Sequence, residues 1–247
     1  MTAVLRWIKG LLFIAMTLAV FISAPLVFPQ PLFAYGLTQG KLSVHSDRPI
    51  PQNQARAFLS EVKKRLTHLP SLLDNAPLQI YIANSTWRRK WLWLLPSAKA
   101  GGFAASPLTR RHAFFSGADF TTNQLVKPDG YKPAPPRTLA YYGAHELTHV
   151  TMAQKVGWIR LLQMPKWIRE GVPDYVAMPP ESTASLYKKI GKQNADAAMM
   201  KSYGAYAPYR LLVTHFLNDK RWTIDQLMAS DLSLEQARTL VFKALES

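Results

Sequence analysis

The sequence predicts an α+β protein: a small mixed sheet, a central helix that follows it and further C-terminal helices, behind an N-terminal transmembrane helix. An uncharged apolar stretch at residues 10–28 follows a short basic segment. Short segments rich in β-branched and aromatic residues then accompany one amphipathic helical pattern, which predicts strands packed on a helix. From residue 140 onward the apolar periodicity is helical, which predicts that helices follow the sheet.

Composition limits the chemistry that this chain can perform. Its 247 residues are 48% hydrophobic, enough for one large or two small domains with a sizeable core. The absence of cysteine excludes disulfide scaffolds, thiolate zinc sites and cysteine nucleophiles, so a metal must be held by His, Asp or Glu. The net charge of +15 favours anionic partners such as lipid headgroups or acidic polymers, although it also suits a plain basic surface.

The N-terminal segment predicts a single-pass membrane anchor. Residues 1–9 form a basic n-region, and a helix over residues 10–28 would be about 28 Å long, close to the thickness of a hydrocarbon layer. Ala24 is followed by Pro25, a poor cleavage context, so an anchor is preferred and a cleaved secretory signal remains the alternative. Positive charge before the span places the amino terminus in the cytoplasm and the domain outside, in the periplasm or the extracellular space.

The remaining chain divides into a linker at residues 29–50 and one domain at residues 51–247. The linker contains a short strand at residues 42–44, and an amphipathic helix over residues 53–69 opens the domain. Enrichment in β-branched and aromatic residues predicts strands at residues 78–83, 102–105 and 111–116, with a turn at 106–109 and an extension of the last strand at 118–120. A loop at 126–136 precedes the helix at 140–154, and further helices are expected from residue 203, over 222–228 and over 234–245, the last two capped by Thr223 and Ser233.

Residues 87–95 interleave three tryptophans with three cations. One interpretation is an element that touches lipid headgroups, because Trp, Arg and Lys all favour that layer. The other is a short helix whose tryptophans enter the core. Base stacking would need a nucleic-acid module, and none accompanies the segment, so nucleic acid is not an expected partner.

The pentad His145-Glu146-Leu147-Thr148-His149 lies inside the predicted helix at 140–154. Histidines four residues apart share one helix face, so both imidazoles can reach one metal ion. Glu146 projects beside them as a base for water, which is the arrangement that zinc hydrolysis requires. A pair of surface histidines on an amphipathic helix is the alternative.

A catalytic zinc ion needs a third protein ligand. Glu170 fits best, because it begins a second helical pattern twenty-one residues after His149, enough chain for a loop and an antiparallel return. Asp174 lies four residues further on the same face. Its carboxylate could accept a hydrogen bond from the free ring nitrogen of a ligand histidine.

The two segments together, HELTH at 145–149 and WIREGVPDY at 167–175, resemble the gluzincin (peptidase MA-like) metallopeptidases. The resemblance implies a zincin-like fold, Zn²⁺ as cofactor and a peptide or protein substrate. It assigns His145, His149 and Glu170 as zinc ligands and Glu146 as the general base. Asp174 occupies the offset at which thermolysin-like members place an aspartate that supports a zinc histidine.

The resemblance also implies a tyrosine or histidine from a later helix that stabilises the oxyanion. Tyr203, Tyr206 and Tyr209 are available, and Tyr206 best matches the start of that helix. In this family the last strand before the site helix commonly pairs with the substrate backbone, which here would be residues 111–115.

Pro173 departs from the family pattern, because proline is disfavoured inside a helix. Either the second helix kinks there, or Glu170 lies in a preceding turn and Pro173 opens the helix.

The sequence therefore predicts a membrane-anchored zinc metallopeptidase that acts outside the cytoplasm. A zinc amidase acting on a cell-wall or other non-peptide substrate is a second hypothesis. A membrane-tethered binding protein with a vestigial metal site is a third, against which the presence of Glu146 argues.

Overall fold

A five-stranded mixed sheet forms the centre of the fold. The computed structural model describes residues 2–73, 76–93, 100–104, 111–190, 204 and 206–246. The sheet has the order β1-β2-β3-β5-β4, and a separate hairpin joins β6 to β7. The strands are β1 Tyr35–Gln39, β2 Leu42–Ser46, β3 Leu78–Ile82, β4 Gly102–Phe103, β5 His112–Phe115, β6 Ala118–Asp119 and β7 Gln124–Leu125.

The helices precede, interrupt and follow this sheet. Those that precede or interrupt it are α1 Thr2–Val27, α2 Gln52–Leu66 and α3 Thr86–Leu92. Those that follow it are α4 Leu139–Val156, α5 Trp158–Gln163, α6 Lys166–Ala177, α7 Thr183–Ile190, α8 Ala207–Thr214, α9 Ile224–Ala229 and α10 Leu234–Glu246. A π-helical segment, His215–Asp219, continues α8.

The two faces of the sheet are covered by different elements. β2, β3 and β5 are parallel neighbours, while β1 and β4 pair antiparallel at the two edges. Alternate residues of a strand point to opposite faces, so Ile80 and Ile82 enter the core formed with α2 and α4, whereas Tyr81 faces the other way. The sheet is therefore buried on both sides.

Helix α4 packs closely on α2 and the sheet because it carries a glycine where they meet. A Cβ atom at Gly143 would lie 2.8 Å from Val62 Cγ2 and 3.3 Å from Phe58 Cζ. The helix begins at Thr138, whose side chain accepts a hydrogen bond from the Tyr141 backbone N–H. This packing fixes the helix that carries the pentad.

The C-terminal helices form a second core around the buried Trp167 of α6. Its indole Nε1 donates a hydrogen bond of 2.8 Å to the Leu232 carbonyl. Thr223 and Ser233 cap α9 and α10, as predicted. In each cap, the side chain of the glutamine three residues later accepts a hydrogen bond from the backbone N–H of the capping residue. Helix α6 also packs against both α4 and α8.

The outer face of the sheet is covered by the end of α1 and by α3. Leu26 and Phe33 pack with Tyr81 and Phe114 in a third core cluster. Nε2 of His112 lies 2.7 Å from the Leu26 carbonyl oxygen. Residues Leu5–Val27 are apolar and long enough to cross a membrane, so the N-terminal helix is a single membrane span or a signal sequence.

The α+β prediction is confirmed: the chain has a mixed five-stranded sheet, C-terminal helices and an N-terminal apolar helix. Within residues 29–50, where a linker was expected, the hairpin of β1 and β2 joins the sheet. Residues 118–120 do not extend β5, because Ala118–Asp119 pairs with β7 instead. Helices α5 and α7 were not predicted, and the turn at 106–109 lies outside the described residues.

Pro173 lies inside α6, which runs from Lys166 to Ala177 and carries Glu170 one turn earlier. The alternative in which Pro173 opens the helix is therefore wrong. The helix loses the hydrogen bond that a residue with an N–H would make there.

Candidate metal centre

Helices α4 and α6 bring three potential metal ligands together. Nε2 of His145 lies 3.7 Å from Glu170 Oε2, and Nε2 of His149 lies 3.5 Å from the same oxygen. One ligand atom from each residue lies within 4.8 Å of the other two. The residues assigned as ligands on the family resemblance thus form a group that could hold a metal ion.

The spacing of this group suits a small divalent cation. Ligand atoms about 2.0–2.2 Å from zinc in a tetrahedron are roughly 3.3–3.6 Å apart. The measured histidine–glutamate separations are close to that range and longer than an ordinary hydrogen bond of about 2.7–3.2 Å. Two imidazoles and one carboxylate also form a known ligand set of catalytic zinc sites, His₂Glu.

The electrostatics of the group keep the carboxylate ionised. Burial by itself raises the pKa of Glu170, but the adjacent His145 and His149 imidazoles outweigh it and lower that pKa well below its ordinary value. Burial likewise opposes a charge on His145, whereas Glu170, Glu146 and Asp174 raise the pKa of its imidazole. An ionised carboxylate beside two imidazoles is a group that can bind a cation.

The group opens into a cleft of about 570 Å³. Glu146 lines this cleft beside the two histidines, and Tyr206 lines it from the start of α8. Residues 100–104 form another part of the wall, and α5 and α6 contribute Leu161, Leu162 and Arg169. The cleft places a carboxylate and a phenol next to the candidate ligands.

The structure describes two of the three tyrosines considered for the oxyanion role. The Tyr206 ring stacks on the His145 ring with centroids 5.6 Å apart and planes 13° apart. Burial, and then the charges of Glu170 and Glu146, raise the pKa of the Tyr206 hydroxyl, which stays protonated and able to donate. Tyr209 stacks behind Tyr206 and is not among the cleft residues. Tyr203 lies outside the described residues.

Asp174 is fully buried, and its hydrogen bonds are made to residues other than the histidines. It accepts a 2.5 Å hydrogen bond from Tyr141 Oη and a 3.1 Å hydrogen bond from Arg210 Nη1. Nδ1 of His145 is buried and has no hydrogen-bond partner among the described residues. The expected hydrogen bond from His145 to Asp174 is therefore absent there, although the charge of Asp174 still raises the pKa of His145.

The strand that borders the cleft is β4, not β5. β5 pairs with β3 on one side and, at Phe114 and Phe115, with β4 on the other, so these two residues have no free edge. For Phe114 and Phe115, the expected pairing with a substrate is therefore wrong. Gly102–Phe103 lies at the edge of the sheet and lines the cleft.

Two arginines near the site were not identified from the sequence. Arg210 is buried against Asp174, and its position four residues after Tyr206 is the only signal that the sequence offers. Arg169 Nε lies 3.7 Å from Glu170 Oε1 and lines the cleft. Its place beside Glu170 in the chain could have indicated a cation at the site.

Fold and site together define an α+β protein with a His-His-Glu group, on two helices, that could hold a metal ion and that agrees with an HExxH…E zincin motif. Comparison with protein-family models gives no match, and comparison with curated proteins gives no significant match.

Proposed function

We propose that the protein is a membrane-anchored zinc metallopeptidase of the gluzincin type that hydrolyses peptide bonds outside the cytoplasm. The observation that carries the proposal is the convergence of His145, His149 and Glu170 in a cleft that Glu146 also lines. A structural metal site has no need of a cleft or of a carboxylate base.

His145, His149 and Glu170 would hold the zinc ion, which supplies a Lewis acid that acidifies water and polarises a carbonyl group. The Glu146 carboxylate accepts a proton from the attacking water and passes it to the leaving amine. The Tyr206 hydroxyl donates a hydrogen bond to the oxyanion that develops on the scissile carbonyl. Asp174 supports the site through its negative charge, which raises the pKa of the His145 imidazole and so makes it a more basic ligand.

Strand β4 supports a peptide as the substrate. An exposed strand edge beside a catalytic site can take an extended peptide as an additional strand, with main-chain hydrogen bonds giving affinity. Gly102 and Phe103 form the β4 edge of the described sheet, and both line the cleft that holds the candidate ligands. A polypeptide in extended form fits this geometry.

Lys127 and Arg169 support the zinc amidase as a second candidate. Both line the cleft, and both add positive charge next to the site. An anionic cell-wall polymer carrying amide bonds would be attracted to them. The same two cations would also favour acidic side chains in a peptide substrate.

The apolar helix α1 supports an anchor that is retained, with its amino terminus in the cytoplasm and the domain outside. The last turn of α1 packs into the domain through Leu26. Removal of the helix would expose apolar side chains of the outer sheet face. The excess of positive charge over the whole chain supports contact with anionic lipids or polymers.

The experiment compares the purified full chain with Glu146→Gln and, as a matched control, with Glu235→Gln on the exposed start of α10. Zinc content is measured by elemental analysis, and cleavage is measured on a peptide library and on isolated cell wall. We expect about one zinc ion in all three proteins and loss of cleavage only in Glu146→Gln. A wild-type protein that binds zinc and cleaves neither substrate would refute the proposal.

A further inference from the structure

The part of α1 that is free of the domain is short for a membrane span. Residues 10–20 carry no charge and are all exposed, and at about 1.5 Å per residue they measure roughly 17 Å, against a hydrocarbon layer of about 30 Å. Arg6 and Lys9 precede this stretch, and their long side chains can extend to the lipid headgroups. The hydrocarbon layer must therefore reach the level at which α1 enters the domain.

No flexible spacer separates the span from the domain. The helix continues without interruption to Val27, and Pro25 and Leu26 are buried. The Leu26 carbonyl oxygen is within hydrogen-bond distance of His112 on β5. The domain must consequently rest directly on the bilayer surface.

Helix α3 stands beside α1 at this level. The Phe21 ring stacks on the Trp91 ring with centroids 5.0 Å apart, and Trp87 lies 6.1 Å from Trp91. Trp87 is 51% exposed. An indole with an apolar body and an N–H donor is favoured at the boundary between hydrocarbon and headgroups.

The charges on α3 match an anionic headgroup layer. Residues 86–93 contain Arg88, Arg89 and Lys90 and no acid. Arg88 lies over the Trp87 ring and also 3.5 Å from Asp47, so part of its charge is offset within the protein. Arg89 and Lys90 have no acidic partner among the described residues, so their charges can attract anionic lipid at a membrane surface.

We propose that α3 lies in the headgroup layer of the bilayer that α1 spans. Trp87 and Trp91 lie at the hydrocarbon boundary, and Arg89 and Lys90 contact the phosphate groups of anionic phospholipids. The proposal assumes the retained anchor of the proposed function and does not depend on zinc or on hydrolysis.

This surface is joined directly to the wall of the cleft. Trp93, which ends α3, donates a hydrogen bond of 2.8 Å from Nε1 to the Ala100 carbonyl. Its ring meets Phe103 of β4 edge-to-face, with centroids 4.7 Å apart. Ala100 and Phe103 both line the cleft, so docking of α3 holds that wall close to the membrane.

The first test measures depth in the membrane. Because the chain has no cysteine, one introduced cysteine gives a unique spin label on the full chain reconstituted in phosphatidylcholine–phosphatidylglycerol vesicles. The label is placed by Lys90→Cys and, as a control on the exposed side of α10, by Thr239→Cys. We expect the Lys90→Cys label to be more accessible to oxygen and less accessible to a water-soluble nickel chelate than the control. Equal accessibility at the two positions would overturn the proposal.

The second test measures the charge requirement. A Thr86→Cys label is compared in phosphatidylcholine vesicles and in vesicles of equal parts phosphatidylcholine and phosphatidylglycerol. We expect the label to lie deeper in the anionic vesicles and this difference to disappear in an added Arg89→Gln/Lys90→Gln background. A label depth independent of lipid charge would overturn the assignment of anionic lipid, and an intact mass that lacks α1 would overturn the proposal as a whole.

Discussion

Asp174 and Arg210 form a buried ion pair, with 3.1 Å between Oδ2 and Nη1, at the contact between helices α6 and α8. Burial raises the pKa of the Asp174 carboxyl, and the Arg210 guanidinium opposes that rise. Tyr141 of α4 donates to the other carboxylate oxygen. One buried carboxylate thus connects the helix carrying the pentad, the helix carrying Glu170 and the helix that Tyr206 precedes.

Replacement of Arg210 by methionine should strongly destabilise the protein. The substitution leaves the Asp174 charge buried without its cation, which typically costs about 3–5 kcal/mol. The free energy of unfolding is measured by denaturant titration of the full chain in detergent. Lys155→Met, which removes the partner of the more exposed Asp225, should cost less than about 1 kcal/mol. Adding Asp174→Asn to Arg210→Met should restore part of the loss; no recovery would contradict the ion-pair explanation.

Replacement of Gly171 by alanine should loosen the contact between α6 and α8. The added Cβ would lie 2.9 Å from the Tyr209 carbonyl oxygen and 2.8 Å from Val213 Cγ2, and a helix backbone cannot move away locally. Overpacking of this kind costs about 1–3 kcal/mol, against a gain of roughly 1 kcal/mol in helix propensity. We expect a net loss of up to about 2 kcal/mol together with weaker zinc binding, because Glu170 is the preceding residue. Gly10→Ala, at a helical glycine with open space around it, is the control and should cause no loss.

Replacement of Tyr206 by phenylalanine should slow catalysis without removing zinc. Loss of one donor to an oxyanion lowers kcat by about 100-fold or more, while substrate binding changes little. Steady-state kinetics and zinc content of the purified full chain provide the measurement. Tyr209→Phe, which keeps the stacked ring behind Tyr206, should retain nearly full kcat. Equal losses in the two variants would argue against a role for the Tyr206 hydroxyl.

Zinc should stabilise the folded protein through the three ligands. A ligand at one hundred times its Kd stabilises the folded state by about 2.7 kcal/mol, so the Tm with zinc should exceed the Tm with a chelator. Glu170→Gln removes a charged ligand and should reduce this difference in Tm. Glu181→Gln, which changes a carboxylate in the segment between α6 and α7 that is not among the candidate ligands, serves as the control. A zinc effect on Tm that survives Glu170→Gln unchanged would remove Glu170 from the ligand set.

The junction between α1 and the sheet should weaken at acidic pH. Burial lowers the pKa of His112 below its ordinary value of 6.5, and the Leu26 carbonyl only partly opposes this. Because the folded state prefers the neutral imidazole, this contribution to stability is complete above about pH 6.5 and is lost as the pH falls toward the folded pKa. The difference in Tm between wild type and His112→Gln, followed from neutral to acidic pH, should therefore shrink. A constant difference would contradict the prediction.

The sequence indicated His145 and His149 because their spacing is local, one helical turn apart. Glu170 lies twenty-one residues further on, and its assignment needed the resemblance to a known motif as well as the helical pattern. The same spacing argument was insufficient for Asp174. Its partner Arg210 is thirty-six residues away, and only the packing of α6 on α8 brings the two side chains together.

Strand order was the other feature that the sequence did not determine. β5 reads as the last long strand before the pentad helix, which made it the expected edge. The strand predicted at residues 102–105 is present as the two-residue strand β4, but the pattern of that segment does not show that it pairs outside β5. Which strand faces the cleft therefore depends on pairing between segments and not on the pattern of either one.

The junction at Leu26, where α1 enters the core of the domain, fixes the height of the domain above the membrane as well as attaching it. A catalytic domain on a long tether can reach bonds at many heights above a bilayer, whereas one whose membrane helix ends inside its own core works at a single height. With α3 in the headgroup layer, that height is the one at which β4 lies. Substrates would then be selected by the distance between their cleavable bond and the membrane surface.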